Sequence, residues 1–350
     1  MAIEEGPVCP VPLPHHERIV MGHGSGGKMS HDLVARLFIP YLGSPPLLAG
    51  NDAGEVSIPQ GARLAISTDS HVVWPLFFPG GDIGKLAVCG TVNDVSMLGA
   101  RPLYLTAGFI LEEGVEFELL ERIVASMQAA AQEAGVQIVA GDTKVVQRGK
   151  ADGVYINTAG VGVILDQQQI GGALAKPGDV VLLSGPIGDH GIAVLAARGE
   201  LGFEANVISD VAPLNKMVLA LIESGVHVNV LRDPTRGGLA TTLNEIAMQS
   251  KVGMLLQERA IPVRAEVQAA CELLGFDPLF IANEGKLVAI VAAEHAELAL
   301  QVMRAAPYGS EAVQIGVVQA EPAGRVLMRT GLGSTRVVDR LSGELLPRIC

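Results

Sequence analysis

The sequence predicts a two-domain protein of mixed α/β and α+β class with a flexible C-terminal tail. Three observations carry this. With 350 residues and a 49% apolar fraction, the chain has material for two cores of ordinary size. Apolar, β-branched runs alternate with amphipathic stretches in both halves. The pattern restarts once, at KPGDVVLLSGPIGDHG, and dissolves near Gly331. The predicted organisation is an irregular lead-in over 1–18, an α/β domain over 19–166, an α+β domain over 167–330 and a tail over 331–350.

The elements follow in order. Residues 1–17 carry four prolines and read as irregular. RIVMGHGSGGKMSHDLVARLF reads as a short strand, a glycine loop and a helix. ARLAISTDSHVV and LYLTAGFIL have strand composition. EFELLERIVASMQAAAQEAG is an amphipathic helix closed by Gly135. VQIVAGDTKVV reads as a buried strand entering a loop, and GVYINTAGVGVI as a further strand. Past the restart, helices are predicted at HGIAVLAARG, KMVLALIESG, GGLATTLNEIAMQS, AEVQAACELLG and AEHAELALQVMRAA. Strands including KLVAIVA and VQIGVVQA lie between them. The last twenty residues span at most about 65–70 Å when extended, enough to reach a distant site.

Composition excludes some functions. The net charge is −12, and no basic cluster of the kind that binds nucleic acid is present. No apolar stretch is long enough to span a membrane. The acidic N-terminus MAIEEGP is unlike a signal peptide. The four cysteines, Cys9, Cys89, Cys271 and Cys350, have no metal-motif or CxxC spacing. A cytoplasmic location with reduced thiols is expected.

Three kinds of motif carry chemistry. GHGSGGK (Gly22–Lys28) satisfies the dinucleotide pattern and most of the P-loop pattern, but Met29 stands where the P-loop needs Ser or Thr. Its glycines and Lys28 ahead of a helix suit an anion. Five aspartates lie beside small residues outside the helical patterns: Asp52, Asp69, Asp94, Asp142 and Asp233. Carboxylates converging from separate loops suit Mg²⁺ that keeps water and phosphate ligands. In DPTRGG, Arg236 can pair with a phosphate at a glycine-opened helix start. Lys144 lies two residues from Asp142, and Glu284 and Lys286 share the turn ANEGK.

These segments together resemble the AIR synthetase-like (PurM-like) ATP-binding superfamily. Within it they most resemble the hydrogenase maturation factors that make the cyanide ligands of nickel–iron hydrogenases. The likeness runs from about residue 19 to 350 and rests on HGSGGK, NDAG, STDSHVVWPLFFPGGDIGKLAVCGTVNDVSMLGARPLYL, AGDTKVV, DPTRGGLATTLNEIA, FDPLFIANEGK and the terminal PRIC. The resemblance implies a homodimer joined through N-terminal domains, with ATP near the interface. It implies magnesium or phosphate roles for Asp52, Asp69, Asp94, Asp142 and Asp233, with Asp82 as the alternative to Asp69. It further implies ATP or phosphate contacts from Gly24, Ser25, Gly26, Gly27, Lys28, Asn93, Gly141, Asp142, Thr143, Arg236, Gly237 and Gly238. Catalytic roles fall to Cys350, Lys144, Glu284 and Asp94.

The implied reaction is ATP-dependent dehydration of an S-carbamoyl group on Cys350 to a thiocyanate. The carbamoyl group comes from a partner carbamoyltransferase, HypF, and the cyanide passes to an iron-bearing HypC–HypD complex. Such a tail must move between sites, and GLGS (331–334) is the expected hinge. Two other readings stand beside this one. A selenophosphate synthetase-like enzyme would use an N-terminal cysteine, for which Cys9 is the available residue. A non-catalytic scaffold would only present the tail to a partner.

Overall fold

A computed structural model of the chain describes residues 17–49, 51, 53–165, 169–199 and 206–340. Cys9, Asp52 and Cys350 lie outside the described residues.

The chain enters through Arg18, which bridges to Glu116, so the predicted opening strand is reduced to an isolated pairing. A 3-10 turn, Met21–Gly24, leads through the glycine loop into α1 (Lys28–Leu33). The helix widens to a π turn over Val34–Phe38 before α2 (Ile39–Leu42). Pro40 explains the widening, because it has no N–H to donate and its ring would crowd the carbonyl one turn back. A short α3 (Pro45–Leu48) follows, capped by Ser44.

The first sheet is built from β1 (Leu64–His71), β4 (Ala100–Glu112), β5 (Gln137–Val146) and β6 (Val154–Ile164). A two-stranded ribbon, β2 (Phe77–Phe78) with β3 (Gly81–Asp82), lies between β1 and the first long helix. The sheet order is β1-β6-β4-β5, with only β4 and β5 parallel. The parallel pairing runs to Val146, so GDTKVV is strand rather than the expected loop. Two helices, α4 (Ile83–Ser96) and α5 (Phe117–Ala134), cover one face. Gly135 closes α5 at φ +74°, as the sequence pattern requires. The other face is open: Ile66, Leu64 and Ile110 are exposed there.

α4 is buried almost all round, wedged between the first sheet and the second domain. Its approach is close because Gly160 and Gly162 face it from β6. A Cβ on Gly162 would stand 2.5 Å from the Val95 side chain, and one on Gly160 would stand 2.7 Å from Thr91.

The second sheet has seven strands in the order β13-β12-β9-β11-β7-β10-β8. In chain order the elements are β7 (Val180–Leu183), α6 (Asp189–Ala197), α7 (Asn215–Glu223), β8 (Val228–Arg232), α8 (Gly238–Ser250), β9 (Gly253–Gln257), α9 (Ala265–Leu274), β10 (Val288–Val291), α10 (Ala296–Ala305), β11 (Val313–Gln319), β12 (Val326–Arg329) and β13 (Thr335–Val338). Both faces are covered. Val181 and Leu183 pack with Leu239, Leu243 and Ile246 of α8, while Val180 and Leu182 pack with α7 and α10. This explains why β7 and β10 read as unbroken apolar runs.

The structure moves the start of the expected tail beyond Val338. Thr335–Val338 is an edge strand paired with β12, and Val338 is buried in the core beneath α8. The proposed hinge is a hairpin turn: Thr330 N–H donates to Ser334 O at 2.7 Å, and Gly333 takes φ +86°. Glu258 accepts from Gly331 N–H at 2.6 Å, and Arg259 donates to Gly331 O at 2.7 Å. A turn held at three points cannot serve as a free hinge. Among the described residues, no helix is long and apolar enough to cross a membrane.

Candidate active site

Three of the five predicted aspartates, Asp69, Asp94 and Asp233, meet Glu284 at the junction of the two domains. On β1, side chains alternate, and Ser67, Asp69 and His71 point toward α4. Ser67 Oγ donates to Asp94 Oδ2 at 2.7 Å, tying β1 to the last turn of α4. Burial pushes the Asp94 carboxyl above its ordinary range, and the charge of Asp69 adds to this. The second domain contributes Asp233, just past the end of β8, and Glu284, in the loop before β10. Burial, then the charges of Asp94 and Asp69, push Asp233 up to about 7. Glu284 is buried, and its pKa is raised well above normal by that burial and then by Asp233, Asp210, Asp69 and Asp94. Four carboxyls from four segments therefore share one field.

The loops carrying them are fixed by hydrogen bonds. Asn283 accepts from Gly188 N–H at 2.8 Å and donates to Pro234 O at 2.8 Å, joining the Asp233 and Glu284 segments. Glu284 N–H donates to Asp210 Oδ1 at 3.1 Å, and Asp210 forms a buried ion pair with Lys286 at 3.2 Å. Gly285 leaves no room for a side chain, since a Cβ would fall 1.7 Å from Asp210 O. α8 starts on Gly237 and Gly238, both at positive φ. A Cβ on Gly238 would stand 2.6 Å from the carbonyls of Leu279 and Ile281. Arg236 is exposed ahead of them.

Other predicted residues lie elsewhere. Asn93 is buried and its amide is spent on the domain junction: it donates to Ala212 O and Glu284 O and accepts from Leu214 N–H. Asp82 caps α4, accepting from Gly84 and Lys85 N–H groups at 2.7 and 3.2 Å, so it does not replace Asp69 in the cluster. Gly24, Gly26, Gly141, Asp142, Thr143 and Lys144 line one cavity of about 260 Å³, together with the apolar Leu33, Phe38 and Phe109. Ser25, Gly27 and Lys28 are exposed beside it. Cys89 and Cys271 are buried; burial raises both thiols, Cys271 to about 11, which leaves them unreactive.

Asp142 and Lys144 are exposed and paired at 2.8 Å, and this contact with Lys144 lowers the Asp142 pKa. They do not join the acid cluster of their own chain. Asp69, Thr158, Ala107 and Gly141 form one row across the sheet, three strand spacings long, or roughly 14 Å. Asp142 falls in the next row, with Gly108, Asn157 and Ser70, on the open face. The described chain thus divides the expected site between the domain junction and the open sheet face.

Among the described residues, no three His, Cys, Asp or Glu side chains form a closed metal cage. The donor chemistry still suits magnesium, which takes one or two carboxylates and completes its shell with water and phosphate oxygens. Crowded carboxyls with raised pKa values are those a divalent cation would relieve.

Two family models match the chain: AIR synthase related protein, N-terminal domain, over residues 50–164, and AIR synthase related protein, C-terminal domain, over 176–329. The carbamoyl dehydratase HypE of Cupriavidus necator is 57% identical over 333 residues, covering 95% of each chain. The chain belongs to the HypE family. A crystal structure of the hydrogenase maturation protein HypE in complex with ATP matches with a TM-score of 0.91 and 53% identity, covering 95% of this chain and 99% of that one. A HypE–HypF complex matches at a TM-score of 0.78 and 50% identity, covering 88% of this chain and 99% of that one. The mixed two-domain fold is that of these HypE structures, and the selenophosphate synthetase-like reading gives way to the HypE one.

The sequence signal missed Ser67, His71 and Asp210. The i, i+2 spacing of Ser67, Asp69 and His71 on a strand is a legible sign that they share a face.

Proposed function

We propose that the chain is an ATP-dependent carbamoyl dehydratase. It converts S-carbamoyl on Cys350 to S-cyano, and the thiocyanate then donates cyanide to the iron of a nickel–iron hydrogenase. The observation that carries this reading is the four-carboxyl cluster built jointly by the two domains, in a chain 57% identical to a carbamoyl dehydratase.

The reaction balances as R–S–C(=O)NH₂ + ATP → R–S–C≡N + ADP + phosphate + H⁺. The amide oxygen is a poor leaving group. Transfer of the γ-phosphoryl group to it makes phosphate the leaving group, and the nitrogen gives up both protons. The transfer itself needs alignment and charge neutralisation more than covalent help. Arg236 with the backbone at Gly237 and Gly238, and Lys28 with Gly24, Ser25, Gly26 and Gly27, bind phosphate oxygens. Gly141, Asp142 and Thr143 line the cavity beside the glycine loop and bind the rest of the nucleotide. Lys144 offsets the charge that develops on the transferred group.

Magnesium, held by carboxylates among Asp52, Asp69, Asp94, Asp142 and Asp233, supplies further neutralisation of the phosphates when bound. Glu284 accepts a nitrogen proton. Burial and the neighbouring carboxylates raise its pKa, which makes it a stronger proton acceptor than an ordinary glutamate.

Two chains join through their open sheet faces, where Ile66 is 70% exposed and Leu64 and Ile110 are also exposed. That arrangement brings Asp142 and Lys144 to the interface. The carbamoyl group arrives from HypF, and the product leaves to HypC–HypD. A reducing cytoplasm keeps the Cys350 thiol free.

Mass spectrometry of the C-terminal peptide tests the reading, after incubation with carbamoyl phosphate, ATP and HypF. The expected product is a carbamoyl adduct on Cys350 that loses one water. A Cys350 left unmodified while HypF turns over would refute it.

A further inference from the structure

His71 is a buried side chain beside the acid cluster that the mechanism leaves without a task. It is 1% exposed, yet neither ring nitrogen hydrogen-bonds to any described residue. Buried polar atoms are nearly always satisfied, so two orphans on one ring need a reason. Nε2 lies 3.7 Å from Asp69 Oδ2, just beyond hydrogen-bond length. The other oxygen of Asp69 is already held, accepting from Ser70 N–H at 2.8 Å. Room for the pair is made by α4, which carries Gly90 at the point of contact. A Cβ there would stand 3.0 Å from His71 Cε1 and 3.4 Å from Asp69 Oδ2. Burial favours the uncharged imidazole, with Asp69 opposing and Arg236 reinforcing that preference.

We infer that His71 is a positioning residue for Asp69: in the loaded site Nε2–H closes onto Asp69 Oδ2 and aims that carboxylate at the cation. A shift of less than about 1 Å turns the present spacing into a charge-assisted hydrogen bond. Carboxylates that ligate metals are commonly oriented in this way by a second hydrogen bond. The inference rests on the proposed magnesium role of Asp69.

The test is a Mg²⁺ titration of the binding of a fluorescent ATP analogue to the purified full chain. His71→Phe fills the same space without donors. It is expected to raise the half-saturating Mg²⁺ concentration about tenfold while leaving nucleotide binding in EDTA unchanged. His71→Gln, which keeps a donor near Nε2, is expected to restore most of the loss. Asp69→Asn separates the two ideas. If it shifts the Mg²⁺ dependence and His71→Phe does not, the positioning role is wrong and the metal site stands. If Asp69→Asn shifts nothing, both fail. Should His71→Phe not fold, ¹⁵N-histidine NMR of the unaltered chain decides. Mg²⁺ with a non-hydrolysable ATP analogue should bring a slowly exchanging, downfield Nε2 proton at His71, and an unchanged resonance overturns the inference.

Discussion

Asp233 concentrates the electrostatic stress of the cleft in a single carboxyl. Its folded pKa of about 7 stands above the ordinary 3.8 because of burial first and Asp94 second. Between those values the folded protein holds a proton that the unfolded chain has released, so this group's contribution to stability is lost as pH rises toward 7. Asp233→Asn removes the charge and keeps the shape. In EDTA and without nucleotide, it should match the unaltered chain near pH 4 and be more stable at pH 8, by roughly 1–3 kcal/mol. Urea unfolding at the two pH values measures this, and equal midpoints at pH 8 would count against mutual repulsion in the cluster. The aspartates beside small residues stood out in the sequence only as a set, since any one of them could cap a helix or a turn, and the structure brings Asp69, Asp94 and Asp233 together. The roles of their companions were not legible. Asn93 lies one residue from Asp94, yet its amide serves the domain junction. No local pattern separates a residue facing substrate from one clamping a neighbouring loop. His71 reads as an ordinary strand residue until the helix carrying Gly90 is laid over it.

Helices and strands with one buried face were readable; those buried on both sides were less so. α5 showed its 3.6-residue stripe and its closing glycine, and it forms as expected. α4 shows no stripe, because the first sheet covers one side and the second domain the other. β5 continues through GDTKVV because β4 offers it a parallel partner, information that a run of polar residues conceals. β13 is the most consequential element of this kind. Its four residues look like tail, but Val338 is 1% exposed, and Asn244 of α8 donates to its carbonyl at 2.9 Å. A chain ending at residue 330 should therefore be less stable than one ending at 340 by roughly 2–4 kcal/mol, from the exposed β12 edge and the vacated core. Thermal unfolding of the two truncations distinguishes them, and equal melting would restore the idea of a tail beginning at Gly331. At the start of α8, Gly238→Ala should cost about 2 kcal/mol or more, since φ is +60° and two carbonyls lie within 2.6 Å of the new methyl. The same variant should weaken ATP binding if the backbone at the start of α8 holds phosphate as proposed; a calorimetric titration showing unaltered affinity would remove α8 from the site.

The division of the site within one chain makes a prediction about the whole molecule. Asp69, Asp94, Asp233 and Glu284 cluster at the domain junction, whereas Asp142 and Lys144 stand on the sheet's open face, roughly 14 Å across the strands. A two-fold dimer formed through that face repeats each contact, so Lys144 of one copy can complete the cleft of the other. Mixing two inactive variants tests this directly. Lys144→Ala and Glu284→Ala chains, unfolded and refolded together, give heterodimers in about half of the molecules. If the two residues act across the interface, each heterodimer holds one intact site and one site with both defects. Dehydration of the Cys350 carbamoyl group should then return to about a quarter of the unaltered rate. If they act within one chain, every site in the mixture lacks one residue or the other, and no activity returns. Ile66→Lys supplies the complementary control. A charge placed on this open face should shift the chain to a monomer in sedimentation and abolish the recovery, while leaving the melting temperature nearly unchanged because Ile66 is already 70% exposed in the single chain.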